Sequence, residues 1–249
     1  MILKRKIYKK LLEWKKECQG KKALLIEGAR RIGKSTICEE FGKSEYKSFL
    51  LIDFAKKDKE VEGYFEKYLN DLDTFFMLLQ THFGTKLTER NSLIIFDEVQ
   101  MFPQARAAIK YLVADGRYDY IETGSLISIR ENVKNIVIPS EERHINMYPL
   151  DFEEFAIALE EDLLVEYIKK CFEKREPLER SMHNQAMLLF HQYMLVGGMP
   201  MSVVTFIESK KDFTEADREK RDILKLYRED IMKIDAKYRS KVLAIYDRK

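Results

Sequence analysis

Gly28-Ala-Arg-Arg-Ile-Gly33-Lys34-Ser35 restricts the fold of this chain more than any other segment. It follows the apolar run Ala23-Leu-Leu-Ile26 and leads into a helical pattern over 34–41 that stops at Gly42. A short apolar run is how a strand buried on both faces reads. Two glycines separated by four residues let the backbone wind around a tetrahedral anion. Successive N–H groups and the following helix N-terminus then aim at its oxygens. Strand, tight loop and helix in this order open a parallel sheet.

The alternation continues to Pro149. Phe49–Ile52 is a second apolar run, ending at Asp53. Val61, Tyr64, Phe65, Tyr68, Leu69, Leu72, Phe75, Phe76 and Leu79 then recur every three or four positions and predict one long amphipathic helix. Leu93–Phe96, Tyr118–Glu122 and Arg143–Met147 read as further strands, with a helix near 104–114. Strands separated by helices imply crossover connections, hence an α/β fold whose parallel sheet is covered on both faces. After Pro149 only helical periodicity remains, over 151–160, 161–175, 181–196, 200–208, 215–234 and from Arg239. Asp151-Phe-Glu-Glu154 reads as a capping box. The expected organisation is a core with an N-terminal helix over 1–150 and an all-helical lid over 151–249. The apolar stripe Val242, Leu243, Tyr246 stops short at Lys249, as in a truncated domain.

The chemistry follows from this frame. In a loop of this kind the lysine, Lys34, extends to β- and γ-phosphates and the hydroxyl of Ser35 ligates Mg²⁺. Gly28, Ala29, Arg30, Arg31, Ile32, Gly33, Lys34, Ser35 and Thr36 are therefore the expected ATP-binding set. Leu93-Ile-Ile-Phe-Asp97-Glu98 supplies the complement, because carboxylates at the end of an apolar strand need a cation or hydrogen-bond partners. Asp97 would hold Mg²⁺ and Glu98 would orient or deprotonate an attacking water. An acid pair suits an ATPase, whereas a small-molecule kinase has no use for Glu98. No Asn-Lys-x-Asp segment is present to read guanine. Glu122-Thr123-Gly124-Ser125 falls where the fourth strand ends, the edge at which such sheets bind ligands. A hydroxyl facing a γ-phosphate and a plain turn both fit those four residues.

Composition excludes other classes. The 44 basic and 42 acidic side chains nearly cancel to a net charge of +2, so no whole-protein field draws in nucleic acid. Three cysteines at unrelated spacings make no disulfide framework, and the four histidines form no ligand pattern with them. No apolar run is long enough to cross a membrane. The basic N-terminal segment has helical spacing at Ile7, Leu11, Leu12 and Trp14 rather than a signal peptide's apolar stretch. A soluble cytoplasmic protein is expected, with no membrane partner.

The loop, Phe96-Asp-Glu-Val-Gln100, Thr123-Gly-Ser-Leu126, Tyr148-Pro-Leu-Asp-Phe-Glu-Glu-Phe155 and Gly197-Gly-Met-Pro200 occur in that order. Together they resemble the prokaryotic AAA-type P-loop ATPases of the AAA domain 14 family, which are usually followed by a DUF4143 domain that is missing beyond Lys249. The resemblance implies an AAA/ASCE-type P-loop NTPase sheet of strand order 5-1-4-3-2 followed by a helical lid. It also implies Ser125 as the preferred residue of a polar sensor element, and Pro200 against the nucleotide base. Arg143 matches a family arginine that could face a γ-phosphate, a role that stands beside that of a strand-end surface arginine. Ala29 replaces a frequent family proline, with no side chain lost from the phosphate.

The expected function is ATP hydrolysis with Mg²⁺ that switches the helical segment relative to the core. A second reading is a low-turnover, nucleotide-dependent signalling or scaffold switch. A third, a DNA-associated AAA motor or loader, rests only on the basic clusters Lys4–Lys6, Lys9–Lys10 and Lys15–Lys16. The protein target is left open, and an oligomer would let Arg143 act on a neighbouring copy.

Overall fold

The computed structural model describes residues 1–125, 140–232 and 236–247. They fall into two compact units: Arg5–Ala29 with Gly33–Tyr148, and Met1–Lys4, Arg30–Ile32 and Pro149–Lys249.

The first unit is a sheet with helices. Its strands are β1 (Ala23–Glu27), β2 (Ser48–Asp53), β3 (Ser92–Asp97), β4 (Asp119–Gly124) and β5 (Glu142–Asn146). Its helices are α1 (Ile7–Cys18), α2 (Lys34–Glu45), α3 (Lys59–Tyr68), α4 (Leu72–Phe83) and α5 (Pro103–Asp115). The sheet order is β2-β3-β4-β1-β5 and every pairing is parallel, which is 5-1-4-3-2 read from the other edge. This is an α/β P-loop NTPase sheet. Parallel register carries strand ends to one edge: Asp53 pairs with Asp97, and Glu27 with Gly124. The loop after β1 and the acids after β3 therefore start from the same rim.

One face of the sheet is filled by aromatic side chains. Phe65 meets Phe54, Phe75 and Phe96 edge-on, with ring centroids 5.8, 5.0 and 5.6 Å apart. Each such buried ring contributes roughly 1.5–3 kcal/mol. Trp14 of α1 and Phe41 of α2, both buried, pack against each other with centroids 6.5 Å apart.

Two helix predictions are corrected. The stripe over 61–79 is two helices, because the Asp71 carboxylate accepts from the Thr74 N–H (3.2 Å) and starts α4 anew. Apolar periodicity passes over such a break, since both helices turn their apolar faces to one core. Gly42 does not stop α2, which runs on to Glu45. A Cβ on Gly42 would sit 2.8 Å from Cγ of Phe49, so this glycine makes room for the ring.

The second unit is helical. It contains α6 (Phe152–Ala158), α7 (Asp162–Lys174), α8 (Arg180–Val196), α9 (Pro200–Glu208), α10 (Phe213–Met232) and α11 (Ala236–Tyr246). The helix predicted over 215–234 is α10; positions 233 and 234 lie outside the described residues. The capping box forms: Asp151 accepts from the Glu154 N–H at 2.9 Å, and Glu154 accepts from the Asp151 N–H at 3.1 Å. Leu150, Phe155, Val196, Val203 and Phe206 share the core. Gly198 lies where a Cβ would be 2.1 Å from the carbonyl oxygen of Leu150, and its own carbonyl accepts from the Leu150 N–H (2.7 Å). Among the described residues, no single helix is long and apolar enough to cross a membrane.

Candidate nucleotide site

The loop begins where β1 ends. Gly33, at φ 90°, occupies the left-handed region that glycine adopts without strain, and starts α2 at Lys34. Arg31 shares that region at φ 68°. The first N–H groups of α2 have no acceptor within the helix and form its anion-attracting end. Lys34 is buried, and its ammonium donates to the carbonyls of Gly28 (3.1 Å) and Ala29 (2.9 Å). Ile32 is fully buried, while Ala29, Arg31 and Thr36 are exposed.

β3 delivers the acids. The Ser35 hydroxyl lies 2.8 Å from both carboxylate oxygens of Asp97. The Thr123 hydroxyl donates to Asp97 Oδ1 and accepts from the Glu98 N–H at 3.2 Å. Glu98 itself turns away from the strand at φ 53°, and its carboxylate accepts from the side-chain amide of Gln100. Ser35, Asp97, Thr123, Glu98 and Gln100 thus form one connected chain of hydrogen bonds at the sheet rim. Hydroxyl and carboxylate oxygens of this kind are the hard donors that Mg²⁺ takes. Cys38 is buried beside them. Desolvation, with the Asp97 charge adding to it, raises its thiol well above the usual range.

It is Thr123 whose hydroxyl reaches Asp97 and Glu98; the preferred Ser125 is half-buried just beyond β4. Phe96 lies opposite Glu122, so the next step along the two parallel strands brings Thr123 beside Asp97, whereas Ser125 is two residues farther on, past the end of β4. Arg143 is not brought to this group. It lies near the start of β5, opposite Leu24 rather than at the strand's carboxyl end, and its guanidinium binds Glu17 at 2.6 Å. Pro200 is the first residue of α9, in the helical unit, where a proline costs no hydrogen bond.

Three residues with partners in the structure carried no signal strong enough to single them out. Gln100 stood in the motif without a role. Within the helical unit, Arg30 pairs with both carboxylate oxygens of Asp230 at 2.8 Å, and the Tyr227 hydroxyl donates to the Arg30 carbonyl at 2.8 Å. Nothing local marks residues so distant in sequence.

A buried charged group lies on the α5 face of the sheet. Arg106 donates to both oxygens of Glu142 at 3.0 and 2.7 Å, with side chains 2 % and 0 % exposed. Glu122 is fully buried nearby, and neither of its oxygens has a hydrogen-bond partner among the described residues. Desolvation raises its carboxyl well above 4.5, Glu142 adds to this, and Arg106 opposes it.

A family model described as an AAA domain matches residues 20–156, more than half of the chain. The chain belongs to the AAA domain family. As in that family, the fold is a nucleotide-binding P-loop fold. The matched region includes the loop, both acids and all five strands of this AAA domain. No curated protein matches the sequence. Similar solved structures include C. elegans PCH-2, at 12 % identity and a TM-score of 0.42, covering 87 % of this chain and 65 % of that one. The Aeropyrum pernix ORC1 protein in complex with DNA is similar at 9 % identity and a TM-score of 0.38, covering 79 % and 68 %. The chain thus spans slightly less than two thirds of the first of these.

Proposed function

We propose that this AAA domain binds ATP with Mg²⁺ and hydrolyses it, with Glu98 activating the attacking water. The observation that carries this reading is the Asp97 carboxylate, which two hydroxyls, Ser35 and Thr123, approach while Glu98 stands beside it with its backbone N–H held by Thr123. Ser35 and Asp97 would hold the metal, which when bound neutralises charge developing on the phosphate oxygens. The loop N–H groups and Lys34 bind the phosphates; the ammonium exchanges the carbonyls of Gly28 and Ala29 for anionic oxygens. Glu98 orients a water for in-line attack. The water oxygen bonds the γ-phosphorus, the bond from that phosphorus to the ADP oxygen breaks, and Glu98 takes the proton.

The helical unit is the part whose position this hydrolysis switches, a reading supported by the division of the chain into two compact units. Pro200 is assigned to the nucleotide base on the family pattern, whereas Gly198 has its own packing reason at Leu150. Arg143 has no role within a single chain in this reading, given its place on β5 and its bond to Glu17.

The test compares Glu98→Gln with Asp97→Asn. Glu98→Gln keeps shape and removes basicity, so turnover falls roughly a hundredfold or more while ATP–Mg²⁺ affinity holds. Asp97→Asn weakens Mg²⁺-dependent binding as well as turnover. Equal, measurable phosphate release by the parent and Glu98→Gln would remove Glu98 from the reaction.

A further inference from the structure

We infer that Gln100 is a positioning residue for Glu98, holding its carboxylate at the angle from which it can receive a proton from water. The inference rests on the reading of Glu98 given above. Glu98 is fixed at two points. Its backbone N–H is held by the Thr123 hydroxyl at 3.2 Å, and its Oε2 accepts from the Gln100 amide. The local backbone makes the second contact. Glu98 enters the left-handed region at φ 53° and ψ 46°, and Val99–Met101 follow as a single tight turn. That turn folds residue 100 back beside residue 98, and Gln100 is only 5 % exposed, so its stem is packed and its amide has little freedom.

The identity of the donor matters. A glutamate at the end of three rotatable bonds, half-exposed as Glu98 is, has many orientations open to it unless something restrains it. A lysine or arginine at position 100 would restrain it but would also neutralise it and draw off the basicity that the reaction uses. A neutral amide restrains without neutralising. It engages Oε2 and not Oε1. Small misplacements of reacting groups lower rates steeply, of the order of a hundredfold for 1 Å.

Gln100→Met is the informative variant, because it keeps the length and burial of the side chain and deletes the donor. The expected result is a kcat lowered about 10- to 100-fold, with KM and ATP–Mg²⁺ affinity within about twofold of the parent and an unchanged unfolding midpoint. In the Glu98→Gln background the same substitution should cost nothing further, since the group it positions is already gone. A second measurement does not depend on turnover: the side-chain amide resonances of Gln100, assigned by their loss in Gln100→Met, should move in Glu98→Ala. Unmoved resonances would overturn the contact. Glu98→Gln impaired beside Gln100→Met at the parent kcat would overturn the inference alone, whereas Glu98→Gln at full turnover would remove the reading of Glu98 and the inference with it.

Discussion

Thr123→Val is the substitution that probes the site most directly without altering its shape. Thr123 is fully buried at the end of β4, and valine replaces its hydroxyl with a methyl of similar size. Two bonds are lost together. The hydroxyl no longer donates to Asp97, and the Glu98 N–H loses its acceptor. A hydrogen bond to a charged group is worth about 1.5–3 kcal/mol, and a buried donor left unsatisfied costs about 1–3 kcal/mol. Ser35 still donates to Asp97, and Glu98 is half-exposed, so part of this is recovered. The net loss is roughly 2–4 kcal/mol. Thr123→Ser is the control: it keeps both bonds and removes only a methyl, at about 1 kcal/mol. Urea unfolding of the three proteins measures the difference, and titration with ATP and Mg²⁺ measures whether Asp97 has lost its orientation. If Thr123→Val unfolded at the same midpoint as Thr123→Ser, with the same affinity, the hydroxyl would not be holding the two acids and the argument would fail.

Lys34→Ala should abolish measurable ATP binding by calorimetry yet shift the unfolding midpoint little, because its ammonium donates to two loop carbonyls that water can serve; retained affinity would displace the loop from the nucleotide. Glu122→Gln tests the buried acid. Its folded-state value is raised above 4.5, so its contribution to stability is full below that pH and is lost as pH rises towards the folded value. Gln cannot ionise, so parent and variant should be alike near pH 4 and diverge above it in the variant's favour, by at most about 1.4 kcal/mol per pH unit. Thermal midpoints that stay parallel from pH 4 to pH 8 would contradict this. Gly198→Ala must force a Cβ to within 2.1 Å of the Leu150 carbonyl oxygen or part the two backbones, which should cost roughly 1–3 kcal/mol; a melting curve identical to the parent's would show that the contact yields freely.

The phosphate-binding loop, the apolar strands and the Asp151 capping box could all be read from the sequence, because each is a short-range arrangement of a few neighbouring residues. Glycine spacing acts on the backbone where it stands, and a cap acts within one helical turn. Strand order came from resemblance rather than from periodicity, which does not say which strand lies beside which. Tertiary structure decided the rest. Periodicity merged α3 and α4 because both face one core, and Asp71, a local cap, divides them. Gly42 looked like a helix stop until Phe49 of β2 was placed against it. Thr123, Gly124 and Ser125 are equivalent as a turn, and only the pairing of β4 with β3 determines that Thr123 reaches Asp97. The same applies to Arg106 with Glu142, 36 residues apart, and to Arg30 with Asp230, 200 residues apart. A side chain's chemistry is written in the sequence, but its partner is whatever the folded backbone brings within about 3 Å, and for these residues that distance is set by packing between elements.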